Sequence, residues 1–122
     1  MEKLKLYFEK VGFEGGSLER IVESFSLRAF EKNDYVVEYG KMSRQIGFIK
    51  SGMFQYYVLK DGEERTSYIS VQNTWLASLL SFISETPSQE SIRALTSGSI
   101  YLINKVNLKS LSARFQASTP FT

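Results

Sequence analysis

A chain of 122 residues, 43% of them hydrophobic and 23% charged, has enough material for one core and too little for two. Fifteen basic and thirteen acidic side chains leave a formal charge of +2, too weak and too scattered for a nucleic-acid footprint, so this chain alone is expected not to bind DNA. The absence of cysteine and histidine excludes disulfides, Cys/His zinc sites, thiolate-held iron–sulfur clusters and Ser-His or Cys-His nucleophiles, and no metal or cofactor is expected.

Leu4, Tyr7, Phe8 and Val11 fall at helical spacing, with Gly12 as a C-terminal stop. After Gly15-Gly16, Ser17 is the expected cap of a second helix whose stripe is Leu18, Ile21, Val22 and Phe25. Both helices are expected to cover a core. From Ser26 the period shortens to two. Leu27 to Phe30 and Tyr35 to Val37 read as short strands around the turn cluster Glu31 to Asp34, and Gly40 marks another corner. Phe48-Ile49 reads as a strand, and Gly52 allows a tight bend into the next. There Phe54, Tyr56 and Val58 share one face, with Met53, Gln55, Tyr57 and Leu59 on the other. Asp61-Gly62 signals a hairpin, with Tyr68, Ile69 and Val71 on the return strand.

Leu76, Leu79, Leu80 and Ile83 recur at helical spacing, so residues 75–84 read as a strand end feeding one or two helical turns that stop at Pro87. Ile92, Ala94, Ile100, Leu102 and Ile103 supply two more strands around Thr96-Ser97-Gly98. Asn104 is the expected N-cap of a last helix, Lys105 to about Phe115, carrying Leu108, Leu111 and Phe115, and the residues from Ala117 onward read as a loose tail. No apolar run approaches the roughly eighteen residues of a membrane span, and the N-terminus lacks a secretory signal's apolar stretch, so cytoplasmic residence is the expectation. Short strands at this spacing predict a mainly β fold with flanking helices, a sandwich or barrel over about residues 26–104 within a single domain of residues 1–122. Phe48, Phe54, Tyr56, Ile69, Ile92 and Ile100 are expected to face its interior.

The order Ile46 to Gly52, the aromatic run Met53 to Leu59, Asp61-Gly62, and the cassette Trp75 to Leu95 resembles the cyclic-nucleotide-binding sensor domain of Crp/Fnr-type bacterial transcription regulators, and most closely a subgroup seen in Bacteroidetes. The resemblance covers about residues 17–115. It implies a double-stranded β-helix (jelly-roll) barrel and a ligand cradle at Trp75, Ala77, Ser78, Leu79, Ser88 and Gln89. The family carries Gly-Glu where this chain has Ala77-Ser78, and Arg-Ser or Arg-Thr where it has Ser88-Gln89. That arginine neutralises the cyclic phosphate through a bidentate fork. Removing a charged partner from a desolvated ion costs about 2–5 kcal/mol, or roughly thirty- to several-thousand-fold in affinity. Helix-terminal N–H groups return about 0.3–1 kcal/mol, which does not cover the loss. Arg44, Arg65 and Arg93 are the candidate replacement cations, and each is expected on a solvated strand or loop.

Cyclic AMP is therefore not the expected effector. Ser78, Ser88 and Gln89 suit a neutral or weakly polar small molecule, on which Trp75 could stack, although Trp75 as core filler and the serines as turn residues is the plainer reading. The leading expectation is a sensor domain degenerate for cyclic nucleotides and lacking its helix-turn-helix. The alternative is a stand-alone β-barrel regulatory module for a protein partner or a neutral ligand. An enzyme ranks last, because no acid–base pair stands at a defensible spacing. Self-association is expected to stop at a monomer or weak dimer, with Tyr57 on the Met53–Leu59 hairpin as the leading exposed contact.

Overall fold

The computed structural model describes residues 2–118, with side chains described as far as Leu111. Helices α1 (Glu2–Lys10) and α2 (Gly15–Glu23) come first. Five strands follow: β1 (Ser26–Phe30), β2 (Tyr35–Val37), β3 (Gln45–Ser51), β4 (Phe54–Lys60) and β5 (Glu63–Ser70). Then come β6 (Trp75–Leu76), α3 (Leu79–Ser84), β7 (Ser91–Ala94), β8 (Gly98–Asn104) and α4 (Lys105–Ser118). The strands form two four-stranded sheets, β1-β8-β3-β6 and β2-β7-β4-β5, with every pairing antiparallel. This is the jelly-roll arrangement expected, with helices before, within and after it.

Strand β8 explains how the two layers of core arise. Ile100, Tyr101, Leu102 and Ile103 are all buried, which an alternating strand permits only when both sheet faces are covered. Ile100 and Leu102 point between the sheets, where they meet Phe30, Val37, Ile49, Phe54, Leu76, Ile92 and Ala94. Tyr101 and Ile103 point outward with Phe48, under Leu4 of α1, Leu18, Ile21 and Val22 of α2, Phe25, and Leu111 of α4. Phe48 therefore belongs to the helix-covered layer and not to the barrel interior.

Strand β5 holds a second correction. Its pairing slips between Tyr56↔Tyr68 and Tyr57↔Thr66, a bulge at Ser67. Ile69 pairs with outward-facing Gln55 and is 47% exposed, so it lies outside the interior. Phe54, Ile92 and Ile100 are fully buried there, and Tyr56 packs at its margin. Asp61 and Gly62 both take positive φ, as a tight two-residue hairpin requires.

The helix ends also differ in part from expectation. Gly12 (φ 107) stops α1, with Phe13 N–H donating to the Phe8 carbonyl, but Val11 is 55% exposed. Helix α2 starts at Gly15 with Glu14 at its N-cap, which places Ser17 inside the first turn. Asn104 does cap α4, accepting from Asn107 N–H at 2.8 Å. The helix runs on to Ser118, past the expected end. Phe115's side chain and residues 119–122 lie outside what is described.

Candidate functional site

Helix α3 turns the sequence expectation around. Leu79, Leu80 and Ile83 are 60%, 66% and 71% exposed, while Ser81 and Phe82 take the buried face. A serine is buried there because all its hydrogen bonds are made. Ser81 Oγ donates to the Thr86 carbonyl at 2.5 Å and accepts from Ser43 N–H at 2.9 Å. These bonds tie α3 to the turn that follows it and fix the geometry of the cradle.

Two more buried serines close that cradle. Ser78 and Ser88, each 2% exposed, approach Oγ to Oγ at 2.8 Å. Ser88 Oγ donates to the Glu90 carbonyl at 2.7 Å and accepts from Glu90 N–H at 3.2 Å. Ser78 Oγ donates to the Glu90 carboxylate at 3.1 Å. The backbone holds Ser88 from its other side, through Gly40 N–H to the Ser88 carbonyl at 2.8 Å and Ser88 N–H to the Lys41 carbonyl at 2.9 Å. A hydroxyl has one proton. Whichever way the two are oriented, both are engaged inside the Ser78–Ser88–Glu90 clasp. What the clasp turns toward the neighbouring cavity is Ser78 and the Glu90 carboxylate.

The backbone donor at the head of this segment is also taken. Ala77 N–H donates to the Tyr56 hydroxyl at 2.9 Å, the inward phenol of β4. Burial raises the Tyr56 phenol above its ordinary value of 10.0, the bond from Ala77 lowers it, and the Glu90 and Tyr68 charges raise it further. Tyr57, on the opposite face, is also raised, first by burial and then by its hydrogen bond with Tyr35, with hydroxyls 2.8 Å apart. Both phenols therefore hold their protons more tightly folded than unfolded. Their contribution to stability is complete below pH 10 and is lost as pH rises through the raised values. Denaturant midpoints are expected to drop more steeply above pH 10 for the unaltered chain than for Tyr56→Phe. Parallel curves would remove Tyr56 from this account.

Above the clasp lies a cavity of about 220 Å³ lined by Val58, Ser78, Leu80, Ser81, Pro87, Gln89 and Glu90. Of the residues expected at the cradle, Ser78 and Gln89 line this cavity, Ser88 lies buried behind Ser78, and Ala77 does not line it, its N–H being held by Tyr56. Leu79 points to solvent. Trp75 is on the other side of its sheet, in an aromatic cluster with Phe48 at 5.1 Å and Tyr7 at 5.3 Å between ring centroids. It does not line the cavity. Glu90, which the sequence reading passed over, is the one charged group that does.

The three arginines are elsewhere. Arg93 makes a two-pronged contact with Glu64 at 2.7 and 3.2 Å, donates to Gln55, and lies 4.6 Å over the Tyr57 ring. Its guanidinium is raised further still by the Glu64 bond. This stack leaves Tyr57 only 5% exposed, so it is unsuited to the exposed contact expected of it. Arg65 pairs with Glu63 at 3.5 Å. Arg44 lines two larger clefts, about 340 and 560 Å³, that share Met42, Ser43 and Asn104. Of the other charges around those clefts, Lys41 pairs with Glu38 and Lys105 with Glu85. No group of three or more potential metal ligands occurs among the described residues, and no described helix is long and apolar enough to cross a membrane.

The family described as the cyclic nucleotide-binding domain matches residues 27–115, from β1 into α4. The chain belongs to that family. As a cyclic nucleotide-binding domain it shares its fold with the catabolite activator protein of Thermus thermophilus (TM-score 0.76, 15% identity), over 86% of this chain and 49% of that one. The cAMP-bound regulatory domain of Toxoplasma gondii PKA matches at TM-score 0.78 and 13% identity, over 90% and 43%. The N-terminal domain of a Streptomyces coelicolor A3(2) transcriptional regulator matches at 0.74 and 14%, over 88% and 76%. The chain thus spans about half the length of the first of these. No curated protein sequence matches it.

Proposed function

We propose that this cyclic nucleotide-binding domain is the sensor domain of a Crp/Fnr-type transcription regulator whose cradle does not take cyclic nucleotides. The observation that carries the reading is the Glu90 carboxylate, which accepts from Ser78 at 3.1 Å with no basic partner among the described ion pairs. A cyclic phosphate is an anion that only accepts hydrogen bonds. Here it meets a like charge, two hydroxyls whose protons are engaged, and an Ala77 N–H already held by Tyr56. At an effective dielectric constant near 20, like charges about 4 Å apart repel by about 4 kcal/mol. This adds to the roughly 2–5 kcal/mol forfeited when the ion loses its charged partner.

Calorimetric titration with cyclic AMP and cyclic GMP is the test, with no saturable heat expected up to millimolar nucleotide. A dissociation constant in the low micromolar range would overturn the reading. The same proposal holds the chain to be one cytoplasmic sensor unit, monomeric or weakly dimeric, with DNA contact made by other parts of the regulator. A second reading, a regulatory module docking on a protein partner, draws on the exposed Leu79, Leu80 and Ile83 of α3.

A further inference from the structure

We infer that the cavity between β4, α3 and the Pro87–Glu90 turn binds a small organic ammonium ion. The inference rests on the sensor reading and deepens it by naming the ligand class. Its basis is the hydrogen-bond inventory of the clasp. Both serine protons are engaged internally, so Ser78 Oγ, which lines the cavity with Ser88 behind it, meets the cavity as an acceptor. Glu90 uses Oε2 for Ser78, and its Oε1 has no hydrogen-bond or ionic partner among the described residues. A half-buried carboxylate is thus left without a counter-ion in a cavity that offers acceptors.

An ammonium group is the complement of such a site, with three donors, no acceptor and one positive charge. The rest of the lining fixes what the ammonium is attached to. Val58, Leu80 and Pro87 are apolar and suit a short alkyl body. A volume of about 220 Å³ equals about seven waters at ~30 Å³ each. That is room for a chain of a few carbons. A metal ion is a poorer occupant, since Glu90 is a single carboxylate and no group of three ligands occurs among the described residues. The site therefore inverts the charge preference of an anion cradle while keeping its position in the fold.

The probe is n-butylammonium chloride, with n-butanol and sodium butyrate as neutral and anionic controls of similar shape. Each is titrated into the 122-residue chain and its Glu90→Gln variant while amide shifts are followed by heteronuclear NMR. Butylammonium is expected to shift the Val58, Ser78, Leu80 and Glu90 amides saturably, and the controls are not. Glu90→Gln should weaken the response at least about tenfold, as loss of a charge-assisted bond does. Equal shifts with butanol, undiminished binding by Glu90→Gln, or no saturable shift with butylammonium would each overturn the inference. If Glu90→Gln does not fold, the control ligands on the unaltered chain decide. Butylammonium failing while cyclic nucleotides also fail would sink this inference alone. Cyclic AMP binding would sink the sensor reading beneath it.

Discussion

Phe54→Ala is expected to destabilise the chain by about 3–5 kcal/mol, with a fall in Tm of roughly 10–20 °C for a domain of this size. Phe54 is 0% exposed on the inner face of β4, with its ring edge-on to Phe30 at 5.9 Å. It pairs with Ser70 on one side and Ala94 on the other, both small, so neighbours have little bulk with which to refill the space. Since domains are stable by only about 5–15 kcal/mol, the loss is a large share of the total. Ile69→Ala is the control. That residue is 47% exposed beside Gln55, and its truncation should stay within about 0.5 kcal/mol. Urea denaturation measures both. An Ile69→Ala cost matching that of Phe54→Ala would put Ile69 inside and displace the bulge at Ser67.

Ile69 also shows where sequence periodicity stops being informative. The fold was legible because alternation within strands, Asp61-Gly62 and the capping Asn104 are local signals, each set by a few neighbouring residues. A bulge is not local. It depends on the partner strand, and one inserted residue exchanges inside for outside along the remainder of β5. Phe48 is misplaced for a related reason: a strand covered on both faces buries both phases, so its period cannot say which layer a residue joins. Helix α3 fails differently. Its apolar stripe predicts a buried Leu79, Leu80 and Ile83, but the inward face goes to Ser81, whose bonds to Ser43 and Thr86 come from distant or following chain.

The resemblance named Ser78 and Ser88 as candidates, and the structure brings their hydroxyls together at 2.8 Å. The charge beside them was not legible. Glu90 escaped notice because a glutamate before a strand reads as solvated. One signal was available. A serine hydroxyl can bond the backbone two residues on, and Ser88 Oγ does so at Glu90, which folds the Pro87–Glu90 turn. Tyr57 shows the converse, since nothing local to β4 reveals that Arg93 will cover its ring.

Gly52→Ala is expected to cost about 2–5 kcal/mol, and its causes separate cleanly. The connection from β3 to β4 carries the chain from the first sheet to the second, and that from β7 to β8 carries it back. The two crossings lie against one another. Leu95 N–H donates to the Met53 carbonyl at 2.9 Å, and Met53 N–H donates to Thr96 Oγ1 at 3.2 Å. A Cβ on Gly52 would stand 2.9 Å from both Gly98 Cα and the Ser97 carbonyl, backbone atoms that move only with their strands. Overpacking of this kind costs about 1–3 kcal/mol. The φ of +94 adds about 1–2 kcal/mol for any residue with a Cβ. Gly40 isolates the second contribution, because its φ is +85 and a Cβ there would meet nothing within 4 Å. Gly40→Ala should therefore cost only the conformational part, about 1–2 kcal/mol. Differential scanning calorimetry of the two variants gives the difference directly. Equal losses would mean that the crossings part without cost, and the close approach of Gly52 to Gly98 would then no longer explain how the two sheets are held in register at the far end of β7 from Glu90.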